Sequence, residues 1–253
     1  MTDTRLVQAL ESRLVNAWPA LETQIVDGWI LRFAKGYSKR ANSASPLIPG
    51  ATLDDGQIDQ IVRQFQAQNL RPTFRLTSLE ASDVDERLAS RGFIEIEPSY
   101  GMMGPLSEPA SIEQQVELEP TVVIEDAPKP RWIKDVAASY GGDKADHLVL
   151  AEILGRIRQS AAYATLSLDG RPSAWGLAVA ERGYVGLFDI VVAPELRGLG
   201  LGRQIVCALM AWARKQGAQN AYLQVRENNT GARDLYQSLG FTDVYRYTHR
   251  VAP

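Results

Sequence analysis

The residues best placed to do chemistry lie at 189–203, DIVVAPELRGLGLGR. A β-branched run ends at Pro194, and Gly198, Gly200 and Gly202 alternate with leucines before an amphipathic stretch begins. Glycines spaced this way permit left-handed turns and let a ligand touch the backbone. The helix begins inside the loop, so its free N–H groups and positive dipole end converge on one point suited to phosphate oxygens. Arg197 and Arg203 add charge. Three readings compete. One is a plain glycine-rich connection without a ligand. A dinucleotide fingerprint needs G-x-G-x-x-G, but the sixth position is Arg203 counted from Gly198 and Ile205 counted from Gly200. A Walker loop needs Gly-Lys-Ser/Thr, and none is present. The third reading is R-x-x-G-x-G at Arg197, Gly200 and Gly202.

The elements that must position this loop follow from periodicity. Leu6, Leu10, Leu14 and Val15 predict a helix over 4–17, and ETQIVDGWILRF predicts two strands turned at Asp27-Gly28. Residues 36–52 read as loop around a short strand. A helix with Ile58, Ile61, Val62 and Phe65 on one face, a strand PTFRLT, a helix ending near Ser90 and a strand FIEIE come next. Residues 98–115, with Pro98, Pro105 and Pro109, read as a boundary. Helical patterns follow at 129–140 and 146–158, then three strands punctuated by Asp169-Gly170 and Arg182-Gly183, which form an antiparallel meander. After the glycine loop come helix, strand NAYLQV, helix TGARDLYQSLG and a last strand. That order predicts an α+β fold, a mixed and mostly antiparallel sheet flanked by helices.

The halves echo each other. LASRGF at 88–93 matches YQSLGF at 236–241, and Gly92 and Gly240 stand 148 positions apart. The order helix, strand, helix, Gly-Phe, strand is shared, which reads as a duplication with domains at 1–105 and 106–253. The same offset sets the glycine loop against GATLD at 50–54. Asp54 there would repel a phosphate, so only the second half is expected to hold one.

Arg197-x-x-Gly200-x-Gly202, after VVAPELRG and before an amphipathic helix, resembles the acyl-CoA pyrophosphate loop of the Gcn5-related N-acetyltransferase (GNAT) superfamily. Downstream, Val225, Asn229, Ala232, Leu235-Tyr236 and Gly240-Phe241 are similar to that superfamily's second motif. The resemblance covers roughly residues 116–250, and the first half resembles the degenerate N-terminal domain of tandem members. It implies acetyl-CoA as co-substrate. Ile190, Val191 and Val192 would lie beside the pantetheine arm as an added strand does. The amides of Gly198, Leu199, Gly200, Leu201, Gly202 and Arg203 would carry the pyrophosphate, with Asn229 on the other side.

The resemblance also assigns roles. Tyr236 matches the tyrosine that protonates the departing thiolate, against the alternative of a packing tyrosine. Related enzymes that acetylate protein N-termini carry Glu where this chain has Gln224, which cannot take a proton from an ammonium. Asp189 is the nearest carboxylate in sequence to the acyl site, either as base or as a structural group, with Glu181 and Glu227 behind it. Cys207 reads as a core residue, His147 and His249 as ordinary, and the five tryptophans as core.

The 253 residues carry 27 basic and 30 acidic side chains, a net charge of −3, which argues against holding nucleic acid by bulk charge. One cysteine and two histidines argue against a disulfide or a metal site. No window approaches the roughly 18 apolar residues of a membrane span, and the first residues lack a signal-type apolar core, so a cytoplasmic protein is expected. The leading expectation is an enzyme transferring acetyl from acetyl-CoA to a primary amine, on a small molecule or peptide, by direct attack. The alternative is a non-catalytic acyl-CoA-binding sensor.

Overall fold

The computed structural model describes residues 3–106 and 120–253. Seven helices, α1 (Thr4–Ala17), α2 (Asp55–Ala67), α3 (Val84–Ser90), α4 (Pro130–Ser139), α5 (Lys144–Leu154), α6 (Leu201–Lys215) and α7 (Thr230–Ser238), flank the described strands. The strands are β1 (Glu22–Val26), β2 (Trp29–Phe33), β3 (Ala44–Pro46), β4 (Thr73–Leu76), β5 (Ile94–Pro105), β6 (Thr121–Glu125), β7 (Ser160–Leu168), β8 (Arg171–Glu181), β9 (Tyr184–Val192), β10 (Asn220–Arg226) and β11 (Thr242–Val251). They form one sheet in the order β1-β2-β3-β4-β11-β5-β10-β9-β8-β7-β6. Among the described pairings only β3–β4 and β9–β10 run parallel. This is the α+β arrangement, a mixed and mostly antiparallel sheet flanked by helices, that the sequence predicts.

The turn dipeptides act as their chemistry requires. Asp27-Gly28, Asp169-Gly170 and Arg182-Gly183 all have positive φ at both positions, the type I′ geometry that suits tight hairpins. Residues 98–115, predicted as a boundary, differ: β5 continues to Pro105, and the part from 107 on lies outside the described residues. The proline and glycines have ladder roles that no local pattern reveals. Pro98 sits where the β5–β11 register shifts, so the N–H it lacks is not needed there. At Gly101 the Tyr245 ring lies so close that a Cβ would fall 2.1 Å from it.

The 148-residue offset runs through the structure. Shifted by it, the bounds of α2, β4, α3 and β5 land within two residues of those of α6, β10, α7 and β11. The repeat is closed by exchange: β5 lies against β10, and β11 lies against β4. Apolar side chains of α6 and α7 bury one face of the C-terminal strands, while α1, α4 and α5 bury the other. A third cluster joins α2 and α3 to β2 and β4. An ion pair crosses the exchange: Glu11 of α1 meets the buried Arg75 of β4 and accepts from Tyr245 of β11. Among the described residues no helix is long and apolar enough to cross a membrane.

Candidate active site

β9 and β10 pair only where Tyr184–Leu187 face Asn220–Leu223. Beyond that stretch β9 runs on to Val192 paired only with β8 and β10 to Arg226 paired only with β5, so a gap opens between them. Ile190, Val191 and Val192 form one edge of that gap, where their backbone groups on the β10 side have no strand partner. β9 leads through a 3-10 turn at Pro194–Leu196 into α6.

The start of α6 is open. Its N-cap, Gly200, has φ 78° and no side chain closes the first turn. Gly198 has φ 82°, and a Cβ at either glycine would meet nothing within 4 Å. As first-turn positions of α6, Leu201, Gly202 and Arg203 have amides with no intrahelical acceptor and the positive helix end behind them. The repeat-related helix α2 is closed instead. Asp54 accepts from Gln57 N at 2.8 Å, and Gln57 Oε1 accepts from Asp54 N at 2.7 Å, a complete capping box. Of the loop arginines, Arg203 donates to Ser238 Oγ at 2.8 Å, and Arg197 reaches back toward the Val192 carbonyl at 3.4 Å. Asn229 caps α7, accepting from Ala232 N at 3.3 Å, and lines the cleft described next.

A bulge in β9 turns Asp189 into that cleft. The β8–β9 register shifts between Trp175 and Leu177, so two residues of β9 face one of β8. Asp189 takes φ 48°, uncommon for a residue with a side chain. Strand alternation would send Asp189 to the α6 side with Leu187. The bulge puts it on the side of Phe188 and Val191 instead. The side chain is buried, Tyr140 donates to Oδ1 at 3.3 Å, and Oδ2 has no partner. Burial pushes its carboxyl up to about 6, against the pull of the Arg40 guanidinium and the Tyr140 hydrogen bond.

The cleft holds about 630 Å³. Residues from both ends of the chain wall it, among them Trp18, Tyr37, Lys39, Arg40, Tyr140, Asp189, Arg226 and His249. Gln224 lines it too. Its Nε2 donates to Tyr245 Oη at 3.1 Å and toward Glu11 at 3.3 Å, and its buried Oε1 has no partner. Glu181 and Glu227 stand elsewhere: Glu181 accepts from Asn16 at 3.1 Å and Glu227 from Tyr100 at 2.9 Å. Tyr236 is buried in the cluster of Leu201, Ile205 and Val225, its ring 5.9 Å from Phe241. Among the described residues its hydroxyl has no hydrogen-bond partner, and burial pushes it up to about 12. Cys207 is buried on α6.

Sequence reading missed Arg40, Tyr140 and His249 as cleft residues, because none stands in a motif and each reaches the cleft only through the fold. Both ring nitrogens of His249 are buried without a partner, and burial with the fields of Arg75, Lys39, Arg40 and Arg226 keeps the ring neutral. Trp18, read as core, is buried but also lines the cleft.

Residues 4–250 match the family model described as "Probable histone acetyltransferase Rv0428c C-terminal". The chain is 27% identical to "Uncharacterized N-acetyltransferase YobR" of Bacillus subtilis, covering 99% of each. It is also 27% identical to "Probable histone acetyltransferase Rv0428c" of Mycobacterium tuberculosis, over 94% of this chain and 71% of that one. A solved GCN5-related N-acetyltransferase from Kribbella flavida superposes with a TM-score of 0.73 at 15% identity, covering 98% of this chain and 96% of that one.

Proposed function

This chain belongs to the family of the Rv0428c C-terminal region, within the GNAT superfamily, and is an acetyltransferase; from that premise we propose that acetyl-CoA is its donor and a primary amine its acceptor. The observation that carries this reading is the contrast between the open α6 start and the closed α2 start, next to a splayed strand pair. Free amides and empty space at Gly198 and Gly200 suit a pyrophosphate, and the unpaired edge at Ile190–Val192 suits the amides of a pantetheine arm. Residues 106–253 then act as the donor-binding domain, and residues 1–105 as a degenerate copy that closes the acceptor side.

In this mechanism the acceptor enters the cleft and its nitrogen attacks the thioester carbonyl directly. The new C–N bond forms as the C–S bond breaks. Asp189, ionised above about pH 6, takes the proton from the amine. The backbone amide near Val192 polarises the carbonyl. Tyr236 gives its proton to the departing sulfur. Burial holds the phenol protonated at working pH, and the same low-dielectric surroundings raise the thiolate's affinity for that proton. Gln224, neutral and hydrogen-bonded to Tyr245, orients rather than deprotonates.

The test is CoA release from acetyl-CoA over a panel of primary amines, with the acetylated product identified by mass. Amine-dependent release with acetyl on nitrogen is the expected result. Acetyl-CoA binding without release for any amine would return the chain to the sensor reading.

A further inference from the structure

The chemistry above uses one charged group of the cleft, Asp189, yet the opposite wall is cationic and built. The segment Gly36–Arg40 is held by Asn42, whose Oδ1 accepts from the amides of Ala34 at 2.7 Å and Gly36 at 2.9 Å. Its Nδ2 donates to the Ser38 carbonyl at 2.8 Å. From beneath, the buried Arg32 donates to the Arg40 carbonyl at 2.6 Å and to the Trp18 carbonyl. This frame presents Lys39 and Arg40 to the cleft without loop ordering at the moment of binding.

The charges there do not balance. Glu97 is shared by Lys39 at 3.2 Å and Arg226 at 2.8 Å. Arg75 is committed to Glu11. Among the described residues Arg40 has no carboxylate within ion-pair distance, and its guanidinium rests over Trp18 at 5.1 Å and Phe188 at 5.8 Å. Behind this wall, the buried Arg32 bonds only carbonyl oxygens and so brings no carboxylate to the cleft. Two further buried polar atoms in the cleft wall, Nδ1 and Nε2 of His249, have no partner. On the other wall Asp146 accepts from Asp143 N at 3.0 Å, and Asp189 is needed for the amine.

We propose that the acceptor is a small amine carrying an anionic group, carboxylate or phosphate, near its amino nitrogen. Arg40, with Lys39 and Arg226 beside it, takes the anion while the amine faces Asp189, and His249 supplies one hydrogen bond to the anion. The cleft's volume of about 630 Å³ accommodates a metabolite-sized amine. Recognition of the acceptor thus draws on both halves, with Lys39 and Arg40 from the half that has no open helix start and Arg226 and His249 from the other. This proposal rests on the donor and acceptor assignment above.

The experiment uses the full chain and matched pairs in the CoA-release assay. An amino acid is set against its methyl ester and its decarboxylated amine, and an amino-sugar phosphate against the free amino sugar. The anionic member should win in kcat/KM by roughly 10- to 100-fold, the worth of one charge-assisted contact. Whichever pair shows the preference identifies carboxylate or phosphate. Arg40→Gln should erase the preference, mostly through KM, and Arg40→Lys should restore part of it. Calorimetry should give both variants the wild-type affinity for acetyl-CoA. Equal turnover of neutral and anionic members, an Arg40→Gln variant that keeps the preference, or acetyl-CoA binding without turnover of any member would overturn the proposal. Failure of acetyl-CoA to bind at all would instead remove the donor assignment, and this inference with it.

Discussion

At the scale of single residues, Asp189 separates function from architecture by the sign of its effect on stability. Burial pushes its carboxyl in the folded protein up from the ordinary 3.8 to about 6. The ionised form is disfavoured in the folded state, so the penalty is absent below pH 3.8, grows as pH rises through 6 and stays above it. The rise from 3.8 to about 6 corresponds to about 3 kcal/mol. Asp189→Asn keeps an acceptor for Tyr140 and suits the left-handed backbone. It should therefore raise the melting temperature at pH 8, leave it unchanged near pH 4 and slow turnover roughly 10²- to 10⁴-fold. A variant that melts lower at both pH values and turns over normally would make Asp189 structural. For the wild type, kcat/KM should rise with pH through about 6. Tyr236→Phe should slow turnover far more than it weakens acetyl-CoA binding, since Phe keeps the packing on Phe241; a pre-steady-state burst compares the chemical steps directly. Unchanged chemistry with a lowered melting temperature would identify a packing tyrosine. Asp189 and Tyr236 could be named as candidates from the sequence because they stand beside motifs. Arg40 and His249 could not, because 149 and 60 residues separate them from Asp189 and only the sheet order brings them to one cleft.

At the scale of elements, helices and hairpins were the legible part. Their signals are local: an apolar stripe on α2, an Asp-Gly pair with the φ that a tight turn needs. The length of β5 was not legible, because Gly101 is explained by a ring on β11 and Pro98 by a shifted register. Gly101→Val forces Tyr245 to move and should cost at least 1–3 kcal/mol in denaturant unfolding; a cost below 0.5 kcal/mol would contradict the close β5–β11 packing. The two repeat-related helix starts give a paired test. Asp54→Ala should lose about 1 kcal/mol of stability with no change in acetyl-CoA affinity, the ordinary result of removing an N-cap.

At the scale of the molecule, the exchange of β5 and β11 joins the repeats into one sheet, with Glu11 and Arg75 buried across the seam. Thermal unfolding should show one cooperative transition; two resolved transitions would mean the repeats fold independently. The exchange was not legible from the duplication, which gives the order of elements in each half but not which half receives its last strand. The same duplication leads to the central claim: two related helix starts, of which α6 alone accepts a pyrophosphate. Calorimetric titration of the full chain with acetyl-CoA measures this directly, with Gly200→Ala and Gly200→Glu beside the wild type. Both variants carry the same left-handed strain of roughly 1 kcal/mol, but only Glu adds a carboxylate where the phosphates would sit. The account predicts one site per chain, weakened by Ala and abolished by Glu in a protein that still melts cooperatively. Two sites per chain, no binding in the wild type, or undiminished binding in a folded Gly200→Glu variant would contradict it.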